Sequence, residues 1–188
     1  MRFLGAFILF SAASFAAEYT IDSAHSSAVF SVRHMMVSNV KGQFSKMTGK
    51  VSYDPKHVAT TKVEATIEVA SIDTREPKRD AHLKSSDFFD LEKFPTMSFR
   101  STKAWKEGDR IKLAGDLTIH GVTKAVTFDL ETPSPEVKMP DGARTGASAT
   151  AVISRKDFGL TWNKLIESGG AVVGDTVSIT LDIEATRK

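Results

Sequence analysis

The chain has 188 residues, 41% hydrophobic and 26% charged, with 25 basic against 23 acidic residues and a formal net charge of +2. That length suits one domain with its own core, and so balanced a charge sets up no field for nucleic acid, so no nucleic-acid partner is expected. Cysteine is absent, which removes thiol nucleophiles, thiolate metal sites, CxxC redox chemistry and a lipid-modified N-terminal cysteine.

The first residues read as an export signal. Arg2 is a minimal basic head, residues 3–10 are apolar apart from Gly5, and residues 11–17 are small apart from Phe15. The small-x-small rule favours cleavage after Ala16, with Ser14 three residues back, giving a signal peptide at 1–16 and a domain at 17–188. The apolar run is too short to span a bilayer comfortably. No other segment approaches that length, so a soluble mature protein is expected.

Beyond the signal the dominant period is two. In Ser27–His34, Ala28, Phe30 and Val32 alternate with Val29, Ser31 and Arg33. Residues 40–53 fit a further strand. In 62–70, Val63, Ala65, Ile67 and Val69 alternate with Glu64, Thr66 and Glu68, a strand with one dry and one wet face. Residues 71–95 break the pattern and suit one or two short helices. A strand begins at Met97 and runs to Trp105, a turn at 106–109 leads into a strand at 110–119, and His120-Gly121 marks a second tight turn into 123–131. The Pro-rich stretch 132–142 reads as an exposed loop. Strands fit 144–155 and 175–186, with a short helical turn around Leu160, Trp162, Leu165 and Ile166 between them.

The pattern predicts an all-β, antiparallel fold of about eight strands with one or two short helical segments, either a sandwich or a barrel. Strand number and length favour the barrel. An eight-stranded interior is either packed solid or just wide enough for one ligand, and the pattern does not separate the two.

No constellation demands catalysis. GxSxG, HExxH and Walker motifs are absent, and the glycine spacing of 169–174 has Asp175 where a phosphate loop needs lysine. His25, His34, His57, His82 and His120 include no i,i+4 pair, which leaves a zinc site only if ligands meet across strands, and Asp87, Asp90 and Glu92 could supply paired carboxylates but read equally well as part of an amphipathic turn. No enzyme activity, catalytic residue, metal or cofactor is expected.

Four patches carry a family resemblance. The first is Tyr19-Thr20-Ile21-Asp22, His25-Ser26, Phe30 to His34, and Val40 to Phe44. The second is Ser71-Ile72-Asp73-Thr74, Arg79-Asp80, His82 to Ser85, Asp87-Phe88-Phe89-Asp90 and Phe94-Pro95. The third is Gly115 to Ile119 with Gly121, and the fourth is Ser154-Arg155, Asp157-Phe158-Gly159, Trp162 and Gly174-Asp175. In this order, across almost the whole mature chain, they resemble the YceI-like family of bacterial periplasmic proteins. The resemblance implies a lipocalin-like barrel that binds a polyisoprenoid, an isoprenoid quinone or another long-chain amphiphilic lipid, with transient membrane contact. Fatty acids or fatty amides are the alternative ligands, and an enzyme acting on such lipids through His34 or His82 is the weaker one. Whether two copies pair as a homodimer stays open.

A tunnel for such a chain has candidate lining in Phe30, Val32, Phe44, Phe99, Leu117 and Phe128 on the strands. Leu83, Phe88, Phe89, Phe158 and Trp162 are candidates from the irregular segments, and Met35 and Met36 are candidates for an adaptable wall. For each, plain core packing is an equal reading. His34, Arg79, His82, Lys84 and Arg155 are the candidates for a polar headgroup.

Overall fold

A strand that alternates wet and dry side chains must bury one face, and a sheet of such strands does so by curling until its dry faces meet. The computed structural model describes residues 16–165 and 170–188, so the expected signal peptide lies outside the described residues apart from Ala16. The strand segments are β1 (Ala17–Ile21), β2 (Ser27–His34), β3 (Ser38–Phe44), β4 (Met47–Tyr53), β5 (Lys62–Glu68) and β6 (Ile72–Asp73), then β7 (Thr96–Glu107), β8 (Arg110–Ile119), β9 (Val122–Leu130), β10 (Val137–Met139), β11 (Gly142–Ser154) and β12 (Val173–Arg187). One α-helix, α1 (Pro77–Lys84), stands between β6 and β7.

Three pairs of segments behave as single bent strands. β1 and β2 both run antiparallel to β12, opposite its C-terminal and N-terminal parts. β4 and β3 pair with them in turn, and β5 and β6 pair with β4 and β3. With β7, β8, β9, β11 and β12 they make an eight-stranded antiparallel barrel, closed where β12 pairs β11 on one side and the β1–β2 strand on the other. Neighbours in sequence are neighbours in space around the ring. The barrel of about eight strands anticipated from the alternation is therefore present.

The local differences have physical causes. Residues 40–53 are not one strand: the chain breaks at Ser45 and Lys46, whose N–H groups turn to the Ser71 carbonyl and hydroxyl. Such breaks bend a strand and let a sheet curl. Between β1 and β2 the side chain of Asp22 accepts from Ala24 N–H at 3.0 Å, building a local turn that hides the short β1 from a reading of periodicity. The expected loop at 132–142 contains β10, paired to the start of β11. The turn anticipated at 106–109 shrinks to Gly108-Asp109, while His120 and Gly121 form the expected tight turn with φ of 52° and 73°.

Two apolar clusters hold the two ends. Ala28, Phe44, Val69, Ile72, Met97, Phe158 and Leu160 form one with Leu117 and Ile119, and Val58, Ala104, Ile111, Leu113, Phe128, Ala149 and Ala151 form the other. The Phe99 ring reaches both and meets Phe128 edge-on at 5.2 Å. Gly115 makes room for it: a Cβ there would stand 2.5 Å from the Phe99 ring and 2.4 Å from the Arg100 carbonyl oxygen. Because one of these contacts is backbone, Gly115→Ala is expected to lower unfolding stability by about 2 kcal/mol. Chemical denaturation checks this, and an unchanged midpoint would show that the strand yields without cost.

Candidate functional site

All eight staves of the barrel send side chains into one internal cavity of about 270 Å³. At roughly 10–15 Å³ per water-sized group, this holds on the order of twenty such groups. The cavity is long. Its lining on β12 runs from Val173 to Ala185, about 40 Å along the strand and about 30 Å along the barrel axis once strand tilt is allowed for. Among the described residues its polar side chains are those of Tyr53, Thr61, Ser98, Thr145 and Arg155, and no carboxylate or imidazole faces it.

One end is covered by α1 and the segments after it. Glu76 caps the helix by accepting from Lys78 N–H at 3.2 Å, and Pro77 fits the first turn, where no N–H is required. The helix is polar apart from Pro77, Ala81 and Leu83 and is fastened by side chains. Asp80 accepts from the Thr74 N–H and hydroxyl at 2.9 and 2.6 Å, while Arg79 donates to the Thr74 hydroxyl and carbonyl at 2.8 Å each. Leu83 from the helix and Phe88 and Phe89 from the segment after it line the cavity. His82 bonds Asp87 at 2.8 Å and meets the rings of Phe88 and Trp162 edge-on, at 5.1 and 4.9 Å.

Arg155 anchors the facing segment. It is 4% exposed, lies at the cavity wall, and donates to the carbonyls of Gly174, Leu160, Trp162 and Val173, with Asp175 at 3.3 Å. Burial lowers its pKa and Asp175 opposes that shift. The 3₁₀ turn that it starts, Arg155–Phe158, puts Phe158 against the cavity and ends at Gly159 with φ of 77°. The expected helical turn is thus a 3₁₀ turn placed earlier in the chain. Leu165 instead bridges to Ala171, and Ile166 lies outside the described residues.

The other end is closed by Val58 and by a strap, residues 131–139, that brings Pro133 to the cavity. Glu136 holds the strap. Arg187 donates to it at 2.6 and 2.8 Å and the Tyr19 hydroxyl at 2.8 Å. The Arg187 guanidinium, then Tyr19, holds the Glu136 carboxyl down to about 2. Nearby, ligand atoms of Asp22, His25 and Glu184 lie within 4.8 Å of one another, but Arg144 already bonds Glu184 at 2.8 Å and Asp22 at 3.3 Å. A guanidinium in that position makes the cluster a charge-balanced network.

The candidates from sequence divide accordingly. Phe30, Val32 and Phe44 line the cavity from β2 and β3, and Phe99, Leu117 and Phe128 from β7 to β9, with Leu83, Phe88, Phe89 and Phe158 at the covered end. Met35 and Met36 do not: they form the exposed turn beyond β2, past the reach of the interior. Trp162 packs on the outside of Phe88 and His82. Of the headgroup candidates, only Arg155 reaches the cavity, and its donors are taken by carbonyls. Arg79 and His82 are engaged within the lid. His34 and Lys84 are half-buried at this end, with no side-chain partner among the described residues. The aliphatic side chains of β12, such as Val177, Ile179, Leu181 and Ile183, and Ala147 on β11 also line the cavity. The sequence signal that marks the β12 residues is their period-two alternation.

Two expectations follow. Arg155→Met leaves the carbonyls of Gly174, Leu160 and Trp162 without this donor, Val173 keeping Asn163 Nδ2 at 2.7 Å, and is expected to cost about 3 kcal/mol in a denaturant titration; a loss below about 1 kcal/mol would mean the segment finds other partners. Glu136 has a folded pKa below its ordinary 4.5, so its contact stabilises the fold above about pH 4.5 and is lost as pH falls from there towards 2. Amide protection in the strap, corrected for intrinsic exchange, should drop across that window and be flatter in Glu136→Gln.

The YceI-like domain model matches residues 19–185. A UPF0312 protein of Staphylococcus aureus (strain N315) is 40% identical over 167 residues, 88% of this chain and 95% of that relative. Among solved structures, Burkholderia cenocepacia BcnA superposes with a TM-score of 0.76 at 25% identity, covering 88% of this chain and 99% of that one. The Campylobacter jejuni YCEI protein does so with a TM-score of 0.70 at 29% identity, covering 98% and 99%. A polyisoprenoid binding domain from Saccharophagus degradans has a TM-score of 0.67 at 13% identity over 93% of this chain and 100% of that one, a likeness of fold alone.

Proposed function

The chain belongs to the YceI-like family, and from that premise we propose that it is a periplasmic carrier holding one long apolar chain, a polyisoprenoid or isoprenoid quinone, in its barrel without catalysing a reaction. The observation that carries the reading is the long cavity walled almost wholly by apolar side chains. The description of the Saccharophagus degradans neighbour as a polyisoprenoid binding domain supports the ligand class. Export rests on Arg2, the apolar run at 3–10 and the small residues before Ala16. The enzyme reading loses its residues, because neither His34 nor His82 lines the cavity.

Energetics favour a carrier over a trap. Moving about twenty carbons from water into the barrel releases roughly 16 kcal/mol at about 0.8 kcal/mol per methylene. The ligand's real alternative is a bilayer of similar polarity, so little of this remains as net preference, and fit and headgroup contacts set the balance. His34 and Lys84, at the covered end, are the groups left to meet a headgroup.

Cavity size favours a second reading. A chain of about twenty carbons fits the enclosed volume, whereas a forty-carbon chain needs the lid displaced or its tail left outside. Fatty acids or fatty amides are therefore the alternative cargo.

The test is lipid extraction and mass spectrometry of the purified protein, followed by uptake of polyprenol, isoprenoid quinone or palmitate from detergent micelles by delipidated protein. Branched five-carbon repeats are expected, straight acyl chains would support the second reading, and failure to take up any of the three would overturn both. Ala147→Phe puts a ring into the cavity from β11 and is expected to weaken uptake about tenfold or more, with the fold kept.

A further inference from the structure

Seven large apolar side chains are left exposed among the described residues, and four of them gather at the covered end of the barrel. Met35, Met36 and Val37, the last two 64% and 78% exposed, form the turn between β2 and β3, and Leu165, 87% exposed, stands in the segment before β12. The two places are joined. Met35 N–H donates to the Val172 carbonyl at 2.8 Å, Val172 N–H donates to the Lys164 carbonyl at 2.9 Å, and Leu165 pairs with Ala171.

This strip continues into the cavity. Val173 follows Val172 and lines the cavity, as does Val32, three residues before Met35. Trp162, two residues before Lys164, packs on Phe88 of the lid at 5.1 Å. A path of apolar side chains thus leads from the interior, past the lid, to solvent.

The turn is not built for its own stability. Met35 and Met36 have φ of 50° and 62°, the left-handed conformation that asparagine and glycine adopt most readily. A turn serving only to join two strands has no use for methionines there. Methionine suits an irregular apolar surrounding, because its side chain refits.

The surrounding charge indicates the occupant. No carboxylate occurs between Asp22 and Asp54, a stretch that holds Arg33, His34 and Lys41. Arg33 donates to the Met36 carbonyl at 2.7 Å, which fixes its guanidinium at the turn. Lys164 lies over the Trp162 ring at 5.9 Å. Neither cation has an ion-pair partner among the described residues, and Glu167, the acid nearest Lys164 in sequence, lies outside them. Exposed apolar side chains ringed by cations match the acyl boundary and phosphates of an anionic bilayer. A second copy of the chain would set like charges against each other.

We infer that Met35, Met36, Val37 and Leu165, flanked by Arg33 and Lys164, dock the barrel on an anionic phospholipid surface, so that a lipid chain passes between bilayer and cavity without crossing water. The inference rests on the lipid-carrier reading and adds the place and manner of exchange.

Flotation with vesicles of phosphatidylcholine mixed with phosphatidylglycerol, and with phosphatidylcholine alone, tests it on the purified protein. Wild type is expected to float with the mixed vesicles at low salt, and less with added salt or without phosphatidylglycerol. The double variant Met36→Asp, Val37→Asp, and separately Leu165→Asp, should weaken flotation about tenfold or more and slow polyprenol transfer between vesicles, with thermal unfolding unchanged. Arg33→Glu should remove much of the salt-sensitive part. Uptake of the same polyprenol from detergent micelles should be unaffected by all of these.

Wild type that ignores anionic vesicles, or variants that float and transfer as wild type does, would overturn the docking proposal while leaving the carrier intact. Dimeric wild type made monomeric by the double variant would also overturn it, because the strip would then be an interface between copies. Loss of micelle uptake in wild type, with vesicle flotation intact, would instead remove the carrier reading.

Discussion

Ring closure at β12 is the constraint from which the rest of the structure follows. This strand hydrogen-bonds β11 from Thr176 to Arg187 on one side and, on the other, β2 and then β1. Left open, either edge would present unpaired backbone groups over many residues; closed, the ring pairs each of its eight staves with a neighbour on both sides, over only two residues between β9 and β11. Closure also fixes the width, which for eight strands leaves an interior that side chains almost fill. Here most members of the two clusters around Phe158 and Ile111 wall the interior, and the space they enclose is left partly empty.

That division explains where charge is found. Inside, desolvation excludes any ion lacking a full set of partners, and Arg155 is present because backbone carbonyls surround its guanidinium. The irregular backbone of the covered end needs donors as much as the guanidinium needs acceptors, so each solves the other's problem. At the opposite rim the same logic operates in contact with water, where Glu136 ties the strap to Arg187 and Tyr19. Charge in this protein fastens the pieces that cover the cavity, and the cavity itself is left to apolar contact. In the proposed carrier, a wall of that kind would select cargo by length and girth. Recognition of a headgroup would fall to the rim, and the exposed strip beside the lid is the place proposed to meet a membrane.

The likeness to BcnA and to the Campylobacter jejuni protein at TM-scores of 0.76 and 0.70 shows that this overall fold is shared.

By itself the sequence determined the strands with clear alternation, β2, β5, β7, β8, β9, β11 and β12, and the tight turn at His120-Gly121, because each is decided by residues a few positions apart. The aromatic lining from Phe30 to Phe128 was legible for the same reason. β1 was not, since five residues before an Asp22 turn carry too little period, and the break at Ser45-Lys46 was not, since Ser71 makes it from across the sheet. Met35 and Met36 were misplaced because a side chain suited to an adaptable wall does not show that the turn after His34 leaves the interior, and Arg79, His82 and Arg155 because a sequence shows a cation but not the groups that occupy it. Only the tertiary structure decided that the barrel is partly hollow. Alternation says which side chains face inward, whereas the volume left between them depends on the shear and tilt with which eight distant strands close.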